Sequence, residues 1–593
     1  MKIVITSLSS KYIHSSLAPW YLLAGIREYS SFGDRYDVKI CEGTINEKTE
    51  AVLDRITAEN PDVVGVSCYI WNIDMVYELT ALIRQRLPNC KIVLGGLEVS
   101  YNSTEVMSLH PEIDFVICGE GEKPFAVLCD SLYAVGNREN SEYQKLNLSQ
   151  YGIATREVSD AEPFVTDELP PTPFGKEYFE SLNSRIAYIE TSRGCPFRCA
   201  FCLSGRCGGV RFWPIERAKQ EILLLSHSGT KTIKFVDRTF NANRDRAYEL
   251  WKFIIESRKV TKEIPEGVCF HFEVAGDLLD EKSLELLKGA PVGLIQLEIG
   301  LQSFNEDTLS AINRKTNIER LCENIKSLLS FGNMHIHIDL IAGLPKEDLE
   351  SFKESFNTAY NLKPHALQLG FLKLLHGADM REDPKKYPCT FSDKAPYEVI
   401  STPCLTPEDI RALKGVEDIC DRVCNSGRFV RTINYLDESR KAIKPFDFYD
   451  AFAQYLNRVS GEDFSGVGVS LDNYTELFWG FLHEYDSMTS EVQLDFEIIR
   501  DLLVIDRLTT NASGRTPDFL KVEDDRLKKV KVYLEQSEEH KPPKATRRGM
   551  AILYSTSQVL FVDYTEKNPV TGMYDARYID LEEALKGYEE LVQ

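Results

Sequence analysis

Short apolar runs alternate with stretches of helical spacing through the first 135 residues. Met1–Leu8, Tyr36–Cys41, Asp62–Ile70, Lys91–Gly95 and Phe115–Cys118 read as strands. Ser16–Tyr29, Ala51–Asn60 and Met75–Leu87 read as the helices between them, with apolar residues recurring every three to four positions. Regular strand–helix alternation predicts a parallel, doubly wound α/β sheet. Ligands on such sheets lie beyond the C-terminal strand ends. Here those ends carry small or polar residues: Ser7–Ser10, Ser67–Asn72, Gly95 and Gly96, and Gly119, Glu120 and Gly121.

The pattern then breaks. Residues 136–184 are polar and hold the proline cluster LPPTP (169–173), which predicts a linker. A second strand–helix series begins at Arg185. Its strands are Arg185–Glu190, Thr232–Val236, Val268–Glu273, Leu294–Ile299, His335–Leu340 and Ala366–Phe371, with Arg217–Ser228, Asp280–Lys288 and Ile318–Phe331 among the helices. Six such units over 185–400 predict a full or partial parallel barrel. Residues 401–593 read as mainly helical, with aromatic clusters at Phe446–Tyr455 and Tyr474–Tyr485 that suit helix cores. The expected organisation is a doubly wound domain (1–135), a linker (136–184), a barrel (185–400) and a helical domain (401–593).

Composition narrows this reading. With 593 residues, 43% hydrophobic and 27% charged, the chain is an ordinary folded protein of three or four domains. Its apolar runs fall well short of the ~20 residues that cross a bilayer, and the N-terminus reads as a strand and not a signal peptide. A cytoplasmic protein with no membrane partner is expected. The net charge of -22 argues against a role resting on phosphate neutralisation. The basic cluster at Lys544, Arg547 and Arg548 reads as solvated surface. Fifteen cysteines in a reducing compartment point, where they cluster, to metal or redox chemistry. Isolated ones such as Cys68, Cys118, Cys269 and Cys322 read as small buried apolar groups.

The cluster that matters is TSRGCPFRCAFCLSG (191–205). Cys195, Cys199 and Cys202 form C-x3-C-x2-C just after a strand. Thiolates are the ligands of iron–sulfur clusters, and a [4Fe-4S] cluster held by three cysteines keeps one iron open. A structural zinc site would want a fourth protein ligand, for which Cys207 is the nearby candidate. The triplet, with the aromatic Phe201 before the last cysteine, resembles the radical S-adenosylmethionine (SAM) superfamily. That resemblance implies a [4Fe-4S] cluster whose open iron is chelated by SAM, and reductive cleavage to a 5′-deoxyadenosyl radical that abstracts hydrogen. It also implies an electron donor such as flavodoxin or ferredoxin. Glu273, Gln302, Arg314 and Asp339 follow in an order similar to the coproporphyrinogen-dehydrogenase-like and methylthiotransferase-like cores. There the matching Gln and Asp contact ribose or methionyl groups and the Arg holds the carboxylate. Asp237–Asn241, after another strand, reads as lining the substrate side.

A doubly wound domain ahead of such a barrel resembles the cobalamin-binding radical SAM enzymes. The matching pieces are VVGVSCYIWN (63–72), LGGLEVSY (94–101) and ICGEGEKPF (117–125). They imply a cobalamin site at Ser67, Tyr69, Trp71, Gly95, Gly96, Glu98, Gly119, Glu120 and Gly121. His14 stands where many family members carry a cobalt-ligating histidine, but the flanking Asp and Gly are absent. A hydrogen bond from His14 to cobalamin or backbone is therefore the favoured role, with Tyr69 or Trp71 as a bulky group below cobalt. The function implied is a transferase: hydrogen abstraction followed by methyl transfer from methylcobalamin to carbon. Rivals are rearrangement, cyclisation or redox chemistry without methylation, modification of a tRNA nucleoside or peptide, and non-catalytic cofactor binding. Cys420 and Cys424 in EDICDRVC read as buried cysteines. Substrate identity is expected to lie in the tail and is not legible there.

Overall fold

Strands β1 (Lys2–Ser9), β2 (Asp37–Thr44), β3 (Val63–Ser67), β4 (Lys91–Gly95), β5 (Phe115–Ile117) and β6 (Ile153–Ala154) form one sheet in the order β2-β1-β3-β4-β5-β6. The structure, a computed structural model, describes residues 1–137, 146–206, 208–440, 443–461, 463–464, 466–488, 493–537 and 549–592. The basic cluster at 544–548 and Cys207 lie outside the described residues. The first five strands are parallel. Their central residues, among them Val4, Val64 and Leu94, are buried because helices cover both faces of a parallel sheet. The strand order reverses between β1 and β3, and this switch point opens a crevice at their C-terminal ends. Segment 136–184 does more than link: β6 adds an antiparallel edge to β5, and Lys176–Leu182 is a helix.

The chain divides into two units, and the division runs through the barrel segment. The first unit holds Met1–Leu294, Ser310–Thr316 and Phe371–Pro403; the second holds Ile295–Leu309, Asn317–Gly370 and Cys404–Gln593. In the first, β7 (Ala187–Ile189) is followed by a two-residue antiparallel ribbon, β8 (Ser192–Arg193) with β9 (Arg211–Phe212). Strands β10 (Thr232–Phe235) and β11 (Cys269–Val274) continue parallel to β7 in the order β7-β10-β11. In the second unit, β12 (Ile295–Gln302), β13 (His335–Ala342) and β14 (Ala366–Phe371) carry the series on. Along β12 and β13 buried apolar and half-buried positions alternate strictly, and all the half-buried ones except Gly300 and Ile341 are polar. One face is therefore packed core and the other a polar wall. These six strands with their helices are the expected (β/α)6 partial barrel.

A small hairpin, β15 (Thr390–Phe391) with β16 (Val399–Ser401), belongs to the first unit. The tail is mainly helical, as expected, through Pro407–Cys420, Val430–Ser439, Pro445–Ser460, Leu471–Met488 and Phe496–Thr510. Phe446, Phe448, Phe452, Phe478 and Phe481 are buried there, so the aromatic clusters are helix core. It then closes on an element the helical reading missed: an antiparallel meander of β17 (Met550–Leu553), β18 (Gln558–Lys567) and β19 (Tyr574–Asp580). The helices Asp525–Gln536 and Leu581–Val592 share its small core.

Candidate functional site

A cavity of about 940 Å³ opens in the first unit at the C-terminal ends of β1, β3, β4 and β5. Ser67, Tyr69, Trp71, Gly95, Gly96, Gly119, Glu120, Gly121 and His14 all line it. Gly119 is there for the backbone: its φ is +87°, and a Cβ would run into the Phe164 carbonyl. Tyr69 and Trp71 stack with centroids 4.5 Å apart and planes 5° from parallel, giving the cavity one flat aromatic wall. The Trp71 indole N–H is already used on the Leu8 carbonyl at 3.2 Å. His14 engages the Tyr188 hydroxyl through Nδ1 at 2.7 Å, and burial with nearby Lys234 and Lys11 pushes its pKa down. It is therefore a neutral imidazole with one nitrogen spent.

Glu98 corrects the expectation. It does not line the cavity; its carboxylate is buried and accepts from the Tyr397 hydroxyl at 2.5 Å. Burial raises its pKa. The chain turns after Gly96, and Glu98 faces the far side of that turn.

Another part of the cavity wall is the approach to the cysteine loop: Ser192, Arg193, Gly194, Leu203, Ser204 and Arg206. Two devices hold it. Asp237 is fully enclosed and accepts from Thr191 N (2.8 Å), Thr191 Oγ1 (2.6 Å) and Ser192 Oγ (2.8 Å). Burial still pushes its pKa up to about 6 against those bonds. Asn241 likewise pairs with the Ala275 backbone, so much of the segment expected to face substrate is internal bracing, while Arg238 within it lines the cavity. The second device is Arg193, in β8 two residues before Cys195. It is paired with Glu120 and Glu122 at 2.9 Å and Glu190 at 2.8 Å, while Arg211 also binds Glu120. Burial alone would raise the Glu122 carboxyl, but Arg193 holds it below its usual range. This ion cage ties the Gly119–Gly121 turn to the cysteine loop. Sequence reasoning named Glu120 but missed Arg193, Arg211, Glu122 and Glu190; Arg193 beside Gly194 was the available signal. At Gly194 φ is +98° and a Cβ would strike the Gly209 carbonyl, so the loop cannot start with a larger residue.

The three thiols sit on one loop but are not gathered on a point. Cys195 Sγ lies 3.3 Å from Thr239 Oγ1, Cys202 Sγ accepts from Ser204 N at 3.4 Å, and Arg314 Nη1 reaches Cys199 Sγ at 3.9 Å. Burial raises the Cys199 thiol, and Arg314 works against that rise. Among the described residues the only group of three or more His, Cys, Asp and Glu side chains with ligand atoms all within 4.8 Å of one another is Glu298, His337 and Asp339. The Ala200 amide bonds the Ile312 carbonyl at 3.0 Å, which brings Arg314 to this loop. Phe201 lies half-buried within it, and Glu273 half-buried near the end of β11. In the second unit Gln302 ends β12 at a register shift with φ +76°. Its Oε1 is shut from solvent with no hydrogen-bond partner among the described residues. Asp339 stands 3.1 Å from His337 Nε2 on β13.

Comparison with known proteins agrees with this arrangement. Residues 3–129 match the B12 binding domain, 189–359 the radical SAM superfamily, and 385–551 a family described as a protein of unknown function (DUF4080). The chain is 26% identical over 328 residues to 2-(S-pantetheinyl)-carbapenam-3-carboxylate methyltransferase of Streptantibioticus cattleyicolor, covering 52% of this chain and 46% of that one. It is 26% identical over 362 residues to an anaerobic magnesium-protoporphyrin IX monomethyl ester cyclase of Rubrivivax gelatinosus, covering 58% and 62%. It thus spans about half the length of the first relative. The cobalamin-dependent S-adenosylmethionine radical enzyme OxsB, solved with aqua-cobalamin and S-adenosylmethionine bound, shares the fold at TM-score 0.57, with 15% identity and coverage of 85% of this chain and 78% of that one.

Proposed function

The chain belongs to the cobalamin-binding radical SAM proteins, and on that premise we propose that it transfers a methyl group to an unactivated carbon of a small molecule. Bound together, SAM, a reduced [4Fe-4S] cluster and cobalamin supply a hydrogen-abstracting radical and a methyl donor for the carbon radical left behind. The observation that carries the proposal is the shared cavity. Its ~940 Å³ lies at the upper end of ligand-pocket volumes, and its wall runs from the strand ends of the B12-binding domain to the cysteine loop.

The residues fit the groups. Cys195, Cys199 and Cys202 are the iron ligands of this proposal, three thiolates that would leave one iron of a [4Fe-4S] cluster open. Arg314, 3.9 Å from Cys199 Sγ, would offset thiolate charge and, in this proposal, hold the SAM carboxylate. The orphaned Gln302 Oε1 suits a ribose hydroxyl or ammonium donor. The resemblance makes Glu273 and Phe201 of the first unit, and Asp339 of the second, candidate SAM contacts, each taken within its own unit. The stacked Tyr69 and Trp71 offer an apolar face that keeps water from the lower side of a corrin, and His14 stays on Tyr188. Ser67, Gly95, Gly96, Gly119 and Gly121 leave room for the cofactor tail, and Glu120 locks the wall in place. Glu98 acts from behind it through Tyr397.

No helix among the described residues is long and apolar enough to cross a membrane. A reducing cytoplasm, with flavodoxin or ferredoxin as electron donor, belongs to the proposal. The test is anaerobic incubation of the loaded protein with SAM, reductant and cell extract. Methylation yields 5′-deoxyadenosine with S-adenosylhomocysteine and a product heavier by one CH2. The second reading, cyclisation or rearrangement, draws support from the cyclase relative. It yields 5′-deoxyadenosine without S-adenosylhomocysteine. Absence of both products with an intact cluster sinks the two readings together.

A further inference from the structure

The second unit holds another cysteine pair that radical chemistry leaves unused. The helix Pro407–Cys420 ends in a π-helical turn, Asp421–Asn425, a rare geometry that often marks function. Asn425 docks this turn on β14: its Oδ1 accepts from Leu367 N at 2.8 Å, and its Nδ2 donates to Leu367 O at 2.9 Å. The docking puts Cys420 and Cys424 on one side of the helix. The single Cys420 hydrogen can go to the Leu367 carbonyl at 3.5 Å or to the Cys424 sulfur.

Cys424 is half-buried and heads a chain of hydroxyls. Its Sγ is 2.7 Å from Tyr449 Oη; Tyr449 bonds Tyr360 at 3.3 Å, and Tyr360 donates to Asp437 Oδ2 at 2.9 Å. With the hydroxyls turned outward, the wire accepts the thiol proton toward Asp437, where Lys363 and Arg440 also bind. With Tyr449 turned inward, it donates to the thiolate. Donation from Cys420 and Tyr449 lowers the Cys424 pKa against burial.

We propose that Cys424 is a peroxide-modified thiol and that Cys420 resolves it to a disulfide. The Cys424 thiolate attacks one oxygen of hydrogen peroxide; an S–O bond forms, the O–O bond breaks, and the leaving hydroxide takes up a proton as water. Sulfur is oxidised by two electrons to the sulfenic acid and the peroxide is reduced. The Cys420 thiol then attacks that sulfur; the S–S bond forms, the S–O bond breaks, and a second water leaves with the Cys420 proton. One turn of helix brings the two Cα atoms into the range a disulfide spans, but leaves the Cβ atoms about 5–6 Å apart where the bond wants about 3.5–4.5 Å, so the π turn has to yield as the bond closes. The new bond takes Cys420 from Leu367 and leaves Asn425 alone to hold β14.

Trypsin reads this directly, because Arg422 lies between the cysteines: GVEDICDR carries Cys420 and VCNSGR carries Cys424. Full-length, cofactor-loaded, reduced protein is titrated anaerobically with hydrogen peroxide, alkylated and mapped. The two peptides are expected to appear linked before exposed Cys404 is oxidised. Cys420→Ser is expected to hold Cys424 as a dimedone-reactive sulfenic acid. Tyr449→Phe is expected to slow the reaction about tenfold, the loss of one hydrogen bond to a charged group. Separately alkylated Cys420 and Cys424 after Cys404 has been oxidised overturn the proposal. That wild-type map needs no variant to fold, and the yield of 5′-deoxyadenosine together with S-adenosylhomocysteine before oxidation reports the methyl-transfer reading independently.

Discussion

Cys195 and Cys199 have the same spacing as Cys420 and Cys424, C-x3-C, yet the two pairs do opposite things with it. The first pair lies on an irregular loop started by a left-handed Gly194 and framed by the β8–β9 ribbon. That backbone spreads the sulfurs and turns a guanidinium, Arg314, toward one of them. The second pair lies on a helix, where four residues make about one turn and the sulfurs meet on one side. Around it stand the hydroxyls of Tyr449 and Tyr360, hydrogen-bonded in a chain. Cysteine spacing therefore names a chemistry only once the backbone beneath it is known.

The largest break in this comparison is Cys199→Ala against Cys424→Ala. With one proposed cluster ligand gone, iron content is expected to collapse and 5′-deoxyadenosine to fall at least about a thousandfold, a loss of roughly 4 kcal/mol or more in barrier terms. Cys424→Ala is expected to keep both. Equal iron loss in the two variants would join Cys424 to the cluster and end the contrast. The next effect is Arg193→Met. It leaves Glu120, Glu122 and Glu190 buried together without their shared cation. Breaking a buried pair in this way costs about 3–5 kcal/mol, read as a fall in Tm. An unchanged Tm would mean that Arg211 carries the cage alone.

These contrasts were unevenly visible in the sequence. Strands such as Lys91–Gly95 and Ala366–Phe371 announce themselves because their apolar runs are bounded by Gly, Pro or charge. Strand β6 does not: two residues in a polar segment carry no period, and only its neighbour β5 makes them a strand. The meander β17–β19 was missed because the aromatic helices before it set the reading of the whole tail, though QVLFVDY has strand composition. At the site, the three cysteines and the strand-end glycines are local signals and stood out. The ion cage is not local, since Arg193 meets acids 71 and 73 positions away. Glu98 looked like a cavity residue because its neighbours are; its partner Tyr397 stands 299 positions on.

Asp237 sharpens the comparison through pH. Its carboxyl sits at about 6 in the folded chain against a usual 3.8. The folded state therefore binds the proton more tightly than the unfolded state. Stability from this group is fully present below pH ~4 and is lost as pH rises through about 6, by roughly 3 kcal/mol in all. Asp237→Asn is expected to flatten that segment of a pH–stability profile. A profile still falling between pH 4 and 6 in the variant would move the effect to another acid.

The smallest expected effect tests what makes the second pair helical. Asn425→Ala removes both bonds to the Leu367 backbone and one to Asp421, leaving Leu367 N–H without its partner. An orphaned amide costs about 1–3 kcal/mol, so Tm is expected to drop by a few degrees. The linked GVEDICDR–VCNSGR peptide is expected to persist, because either an α or a π turn sets the two cysteines on one side and can yield as the bond closes. If the link disappears while the fold survives, the pairing belongs to the π turn that Asn425 imposes and not to helix periodicity. The contrast with Cys195 and Cys199 would then rest on one side chain's grip on β14.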